Sequence, residues 1–172
     1  MTIHNEHPFQ PAEPDRNPVR RLRGRLPAPV SVITTGQDER RAGLTVSSLL
    51  VVDGEPAAIL AILDPLSDLR DGLQATGTAV VNLLGWRDHQ LAEAFGYQAP
   101  APGGPFRLGE WEPSEWGPVL ASATGWAGCR LSQRSPVEVG WGLQVQLDIE
   151  QVAIGRDDEP LVHHRGRYRK LS

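Results

Sequence analysis

Residues 143–154 read LQVQLDIEQVAI, and this stretch carries the clearest structural pattern in the chain. Apolar residues alternate with polar ones at four positions, Leu143, Val145, Leu147 and Ile149. Strict alternation is typical of a β-strand with one buried face and one solvated face. The phase then slips, because Val152 and Ile154 occupy the opposite parity. A β-bulge at Glu150–Gln151 would return both side chains to the core, so we predict one long, bulged antiparallel strand.

Shorter segments predict the rest of the fold. Apolar or β-branched runs that end at turn residues indicate further strands over residues 30–35, 41–53, 57–63 and 78–84. Capping residues and helical spacing predict three short helices, over residues 18–26, about 68–75 and 87–96. Several antiparallel-type strands with few helices predict a mainly β fold, a barrel that carries helical connections.

Residues 97–118 form a long loop rich in proline and glycine. Loops of this length in a compact domain are usually functional or mobile. Its aromatic residues Phe106, Trp111 and Trp116 are either anchors that pack the loop down or lid residues over a ligand. Anchors are the favoured interpretation.

The length of 172 residues suits a single domain. We expect residues 17–172 to form it. Residues 1–16 are polar and proline-rich, so we expect a tail that is flexible or wraps a neighbouring subunit as an arm.

Composition excludes several classes of function. The net charge of −4 argues against sequence-independent nucleic-acid binding. No apolar run resembles a signal peptide and none is about 20 residues long, so we expect no membrane span and a cytoplasmic protein. Cys129 is the only cysteine, which excludes an intrachain disulfide and a cysteine-based zinc site. Basic residues cluster near residues 16–25 and 165–170, where either a bound phosphate or simple solvation would explain them.

Common catalytic and nucleotide motifs are missing. The chain has no Gly-x-Gly-x-x-Gly, no Walker loop and no Gly-x-Ser-x-Gly elbow, so a Rossmann domain or a hydrolase triad is not expected. His163 and His164 are adjacent, and neighbouring residues of a strand point to opposite faces. They cannot chelate one metal together, and we predict no metal site.

Two segments carry groups that could bind an anion or a heterocycle. GLTVSS, residues 43–48, places three hydroxyls within four positions. Either these hydroxyls bind a ligand, or the segment is a strand whose polar side chains face water. LDPLSDLRDGL, residues 63–73, leads into a helix start at Ser67. Helix N-termini bind anions readily, although plain N-capping explains the same residues.

The order of these segments, LPAPVSVITT, GLTVSSLLVV, AILAILDPLSDL, GTAVVNLL and PLVHHRGRYRKL, resembles the flavin reductase-like family. The resemblance covers roughly residues 18–171, and GLTVSS and PLVHHRGRYRKL are its most specific parts. It implies an antiparallel split β-barrel of Greek-key type with a few short helices, the FMN-binding split barrel. It also implies a homodimer with the flavin near the subunit interface.

The resemblance implies a set of flavin-binding residues. Thr45, Val46, Ser47 and Ser48 would border the isoalloxazine and ribityl chain. Asp64, Ser67 and Asp68 would lie by the ribityl phosphate. The remaining expected positions, close to the flavin or at the edge of its site, are Asn82, His164, Arg165 and Tyr168. No residue is singled out as catalytic.

The implied activity is a flavin reductase that transfers a hydride from NAD(P)H to FMN, or to FAD, and supplies a partner oxygenase. The chain departs from the family where Gly140-Trp141-Gly142 replaces the usual Gly-Asp-His, which bears on nicotinamide use. His163 and Pro29 replace a usual tyrosine and a usual glycine. The alternatives are an FMN-binding module or accessory protein without reductase activity, and an oxidase-like or haem-binding relative on the same barrel.

Overall fold

The computed structural model describes residues 17–171, and antiparallel β-strands dominate it. The predicted tail over residues 1–16 lies outside the described residues. The helices are α1 (Pro18–Gly24), α2 (Asp68–Thr76) and α3 (His89–Phe95). The strands are β1 (Ala28–Pro29), β2 (Ser31–Thr35), β3 (Ala42–Val46), β4 (Leu49–Val52), β5 (Ala58–Leu63), β6 (Thr78–Leu83), β7 (Trp111–Glu112), β8 (Val119–Leu120), β9 (Gly125–Leu131), β10 (Val137–Val139), β11 (Gly142–Ile154), β12 (Leu161–His164) and β13 (Arg167–Lys170). The prediction of a mainly β, barrel-like fold is confirmed.

The main sheet curls because of a short crossing between two of its strands. Its order is β3-β2-β6-β9-β11-β5-β4, so β3 and β4 lie at opposite edges. Only Ser47 and Ser48 connect them. Val46 and Leu49 are three Cα–Cα steps apart, which span about 11 Å at most, so the sheet must curl until its two edges are close. The prediction of a single strand over residues 41–53 was therefore wrong, because the strand breaks at Ser47 and Ser48. The gap between β3 and β4 that these two residues cross is called the barrel opening below.

The long strand β11 follows the predicted pattern. Its pairing with β9 shifts between Ile149 and Gln151, so the predicted β-bulge is confirmed. Val152 lies opposite Ala127, a residue of the barrel core, so its side chain is on the core-facing side of the strand. The prediction that both side chains return to the core was wrong, because Val152 is 52% exposed and Ile154 is 85% exposed. Both side chains are on the core-facing side of β11, but they lie past the end of the barrel, where no core covers them.

The closing segment PLVHHRGRYRKL forms a hairpin of two strands, β12 and β13. His164 pairs with Arg167, which leaves Arg165 and Gly166 as a two-residue turn. Both turn residues have positive φ, +52° and +74°, as the tight hairpin turn with matching twist requires. β12 and β13 join β1 in a separate three-stranded sheet.

Two apolar cores hold the barrel and its surroundings together. One fills the barrel and includes Ile33, Leu63 and Leu147. The second lies outside it, where Phe95 of α3 is 1% exposed. The loop aromatics Phe106 and Trp111 pack edge-on against Phe95, with ring centroids 4.9 and 5.6 Å away. The interpretation of these residues as anchors is thus confirmed.

The predicted helix starts are confirmed by their caps. Asn17 Oδ1 accepts a hydrogen bond from Val19 N at 2.8 Å, and Pro18 takes the first helical position. Ser67 Oγ accepts from Arg70 N at the start of α2. Among residues 17–171, no helix is long and apolar enough to cross a membrane.

Candidate flavin site

The opening of the barrel exposes the first predicted segment. Thr45 and Val46 end β3, and Ser47 and Ser48 follow in the crossing to β4. Val46 is buried in the barrel core, whereas Ser48 is exposed and Ser47 is half-buried. Because Ser47 and Ser48 lie outside the strands, their hydroxyls and amides are the polar groups at this opening that a ligand could use. Ser48 O is already occupied by Ile62 N at 2.9 Å.

The carbonyl of Ala92 in α3 connects two of the predicted site segments. It accepts hydrogen bonds from Thr45 Oγ1 at 2.7 Å and from Tyr168 Oη at 3.4 Å. It also accepts from Gly96 N at 3.0 Å, at the end of α3. The structure therefore brings Thr45 of GLTVSS next to Tyr168 of the closing motif, although 123 residues separate them in the chain.

The loop from Asp64 to Asp68 is a tightly built helix entry. Asp64 Oδ1 accepts from Leu66 N at 2.8 Å, and Ser67 Oγ donates to Asp64 O at 2.7 Å. Ser67 is 5% exposed, whereas Asp64 and Asp68 are exposed. The Asp64 carboxylate thus shapes the turn. Arg70 N and Asp71 N donate to Ser67 O at 3.1 and 3.4 Å, so the amides of Asp68 and Leu69 are the ones left for a ligand at this helix start. An anion at this point would meet those amides.

Tyr97 is a residue of this region that the sequence analysis missed. It follows Gly96 after α3 and is 70% exposed. A Cβ at Gly96 would lie 3.7 Å from Thr45 Cβ, which places Tyr97 beside the barrel opening. Burial, and then the charges of Asp68 and Asp64, raise the pKa of Tyr97. The one available signal was an aromatic directly after a helix-ending glycine.

The closing hairpin separates its predicted site residues onto two faces. His163 pairs with Tyr168, so both side chains share the inner face, where their rings meet edge-on at 5.6 Å. His164 shares the outer face with Arg167. Arg165 sits in the exposed turn, and its N–H donates to Gly24 O at 2.9 Å. The structure therefore brings Tyr168 to Thr45 and leaves His164 on the opposite side of the sheet.

Burial controls the titration of the inner face. It raises the pKa of Tyr168 to about 12, with a smaller contribution from the charge of Glu93. Burial also lowers the pKa of His163, and the charges of Arg23 and His164 lower it further. At neutral pH the Tyr168 hydroxyl is a donor and His163 is mostly uncharged. His163 therefore acts as a packing partner for Tyr168.

Asn82 lies in the interior of the protein. It is 0% exposed, and its amide nitrogen donates to Val32 O at 3.1 Å and Thr34 Oγ1 at 3.3 Å. Its carbonyl oxygen accepts from Leu120 N at 2.8 Å. These bonds tie the end of the long loop to the barrel wall. The placement of Asn82 near the flavin stays a prediction. Because its side chain is buried and fully bonded, its effect on a flavin site would be to hold the neighbouring loop end in position.

The segment that departs from the family pattern is a hairpin tip. Gly140 and Trp141 connect β10 to β11, and Trp141 is 87% exposed. Trp141 therefore does not fill the core. Leu143 pairs with Leu63, so this tip extends beside the residues that follow Leu63, where the segment predicted to bind the phosphate begins. No group of three metal-ligating side chains occurs within residues 17–171.

Comparison with known proteins identifies the family. The family model described as the flavin reductase-like domain matches residues 23–172. The chain belongs to the flavin reductase-like family. An NADH-dependent FMN reductase, AsuE2 of Streptomyces nodosus subsp. asukaensis, is 32% identical over 170 residues, with 92% of this chain and 86% of the relative covered. An FMN reductase (NADH), RutF of Ancylobacter novellus, is 30% identical over 158 residues, covering 91% and 86%.

Solved structures of this family share the fold. The NADH:FAD oxidoreductase SgcE6 of Streptomyces globisporus C-1027 superposes with a TM-score of 0.80 at 23% identity, covering 96% of this chain and 99% of that one. BorF, titled the flavin reductase component of a bacterial two-component tryptophan halogenase, gives 0.76 at 21% identity, covering 89% and 98%. At these identities the likeness establishes the split-barrel fold.

The residues present fit FMN. Ser47 and Ser48 offer hydroxyls and amides between β3 and β4, Tyr97 is an exposed aromatic, and α2 begins with helix amides. A polyhydroxyl chain, a flat heterocycle and a phosphate, respectively, need partners of these three kinds. The carboxylates of Asp64 and Asp68 oppose a phosphate, so the helix-entry donors have to outweigh them.

Proposed function

We propose that this protein is an NADH-dependent FMN reductase. The observation that carries the proposal is its 30–32% identity, over most of both chains, to relatives that carry that activity in their names. The site geometry supports it, because Thr45 of GLTVSS and Tyr168 of the closing motif both donate a hydrogen bond to the Ala92 carbonyl. A cytoplasmic location is part of the proposal, and FAD and NADPH are the alternative substrates.

The chain's residues would bind and orient the flavin. Thr45 would line the ring side, held in place by its bond to Ala92. Val46 is buried in the barrel core and would support this strand without touching the ring. Ser47 and Ser48 would offer hydroxyls to the ring edge and ribityl chain. Ser67 and the amides beside Asp68 would meet the phosphate, and Asp64 would keep that loop in shape. Asn82 would fix the neighbouring loop end.

Bound FMN would supply the redox chemistry, accepting a hydride from the nicotinamide of NADH. The reaction is chiefly a matter of placing two rings in contact, which lowers the barrier without a general base. The neutral, hydrogen-bonded Tyr168 hydroxyl suits an orienting role. Arg165 and His164 would offer positive or polar groups to a phosphate that passes the outer face of the closing hairpin.

Purified protein is expected to oxidise NADH only when FMN is added. The measurement is loss of nicotinamide absorbance with and without FMN, with NADPH in parallel. Bovine serum albumin with the same flavin controls for uncatalysed oxidation. Tight FMN binding without turnover by either nicotinamide would exclude a reductase.

A second candidate function is an FMN-binding module without reductase activity. The observation that favours it is Gly140-Trp141-Gly142 in place of the family's Gly-Asp-His. In this chain the segment is an exposed hairpin tip that offers no imidazole to a nicotinamide. The same turnover assay separates the two candidates.

A homodimer with the flavin near its interface is part of the proposal. β4 is an edge strand, and Leu50, Val51 and Val52 are exposed on both of its faces. A long apolar edge of this kind invites pairing with another chain. Ser47–Ser48 precede this strand and Asp64 follows its partner β5, so the flavin segments flank the apolar hairpin.

The dimer predicts a mass in sedimentation equilibrium of twice the 18.8 kDa chain. Replacing Leu50 and Val52 together with aspartate is expected to shift the protein to monomer, because four charges would be buried across a two-fold interface. Gln133→Asp, at an exposed site away from this hairpin, is the control and should stay dimeric. A monomeric wild-type protein would contradict the proposal.

A partner oxygenase would consume the reduced flavin. Support comes from BorF, the flavin reductase component of a bacterial two-component tryptophan halogenase. No residue of this chain forms a covalent link in the proposed scheme, so the reduced flavin must leave the site for its partner. The exposed opening beside Ser48 and Tyr97 is compatible with that exchange.

A further inference from the structure

Tyr97 adopts a backbone conformation that its residue type disfavours. Its φ is +56°, in the left-handed region that glycine enters freely and a bulky residue enters with strain. Glycine or asparagine would end the helix here with less strain. Residues held in such conformations cluster at binding sites, where a ligand contact offsets the strain. The turn alone does not explain a tyrosine at this position.

Hydrogen bonds around Tyr97 hold it in this conformation. Its N–H donates to Ala94 O at 3.3 Å, and Gln98 N donates to Glu93 O at 2.9 Å. The Ala92 carbonyl, bonded to Thr45 and Tyr168, anchors the same helix end to the barrel. The side chain therefore leaves a fixed backbone, and with 70% of it exposed it is not a core residue.

The position of Tyr97 links the two flavin-binding segments. On one side, Gly96 lies beside Thr45 at the barrel opening. On the other, α2 packs against β3, the same strand that α3 contacts. The carboxylates of Asp68 and Asp64 agree with this placement, since after burial they contribute to the raised pKa of Tyr97. An aromatic ring between a ring-binding segment and a phosphate-binding loop is suited to cover a flat heterocycle.

We propose that the ring of Tyr97 stacks on the isoalloxazine of the bound flavin, and that this contact offsets the strain of its backbone. The inference rests on the proposed function and adds a binding residue to it. The contact is made by the ring face, and the phenol hydroxyl is not required.

The test measures binding of FMN and of riboflavin, which lacks the phosphate. Tyr97→Gly is expected to raise both dissociation constants by about tenfold, since stacking on one aromatic contributes on that order. The thermal midpoint without flavin should be unchanged or higher, because glycine relieves the strain. Tyr97→Phe should bind both ligands like the wild type.

Asp38→Gly is the matched control. Asp38 also has a positive φ, +50°, but it lies in the turn before β3, whereas Thr45 is near the end of that strand. Its flavin affinity should not change. Wild-type affinity in Tyr97→Gly would overturn the inference and leave the reductase intact. So would a loss confined to FMN, or a loss accompanied by a lower thermal midpoint. Absence of FMN binding by the wild type would overturn both proposals.

Discussion

Replacing Ser67 with aspartate is expected to raise the dissociation constant for FMN at least a hundredfold. Aspartate can keep the N-cap role of Ser67, accepting from Arg70 N, although it cannot donate to Asp64 O as the serine does. The added carboxylate would face the phosphate, and two like charges a few ångströms apart repel by several kcal/mol at an effective dielectric of about 20. Titration of FMN by fluorescence measures the effect.

Riboflavin provides the internal control for this variant. It has no phosphate, so its affinity should change by less than about threefold if the ring and ribityl contacts are intact. Equal losses for FMN and riboflavin would mean that the substitution distorts the site as a whole. Unchanged FMN affinity would remove Ser67 from the phosphate site and leave it as the N-cap that the structure shows.

Replacing Asn82 with alanine is expected to lower the free energy of unfolding by about 3 kcal/mol. The substitution removes hydrogen bonds to Val32 and Thr34 and leaves the N–H of Leu120 without its acceptor. Asn82 is 0% exposed, so water cannot replace those partners. A neutral hydrogen bond contributes about 1 kcal/mol, and an orphaned buried donor costs about 1–3 kcal/mol.

Urea denaturation of the protein without flavin measures this loss. Gln74→Ala, at an exposed position of α2, is the control and should stay within about 0.5 kcal/mol of the wild type. A loss below about 1 kcal/mol for Asn82→Ala would show that the loop end at Leu120 is held by its apolar packing and not by the amide.

In the candidate flavin site, some features could be predicted from the local sequence and others could not. Ser67 was recognisable as a helix cap, since capping depends on residues three positions apart. The junction of Thr45, Tyr168 and Ala92 was not, because a hydrogen bond to a helix carbonyl leaves no pattern in the sequence. Tyr97 escaped notice for a related reason. Its exposure and its neighbours depend on where the end of α3 meets the barrel.

The strands show the same division. Alternation in LQVQLDIEQVAI determined by itself that β11 is a strand, which face is apolar and where it bulges, because a strand repeats every two residues. Only the tertiary structure decided that Val152 and Ile154 lie beyond the end of the barrel, since burial depends on the elements that surround a face. Likewise, the residues alone predicted apolar runs on either side of Ser47–Ser48. The closure of a seven-strand path placed those two serines across the opening of the barrel, where the proposed flavin site lies.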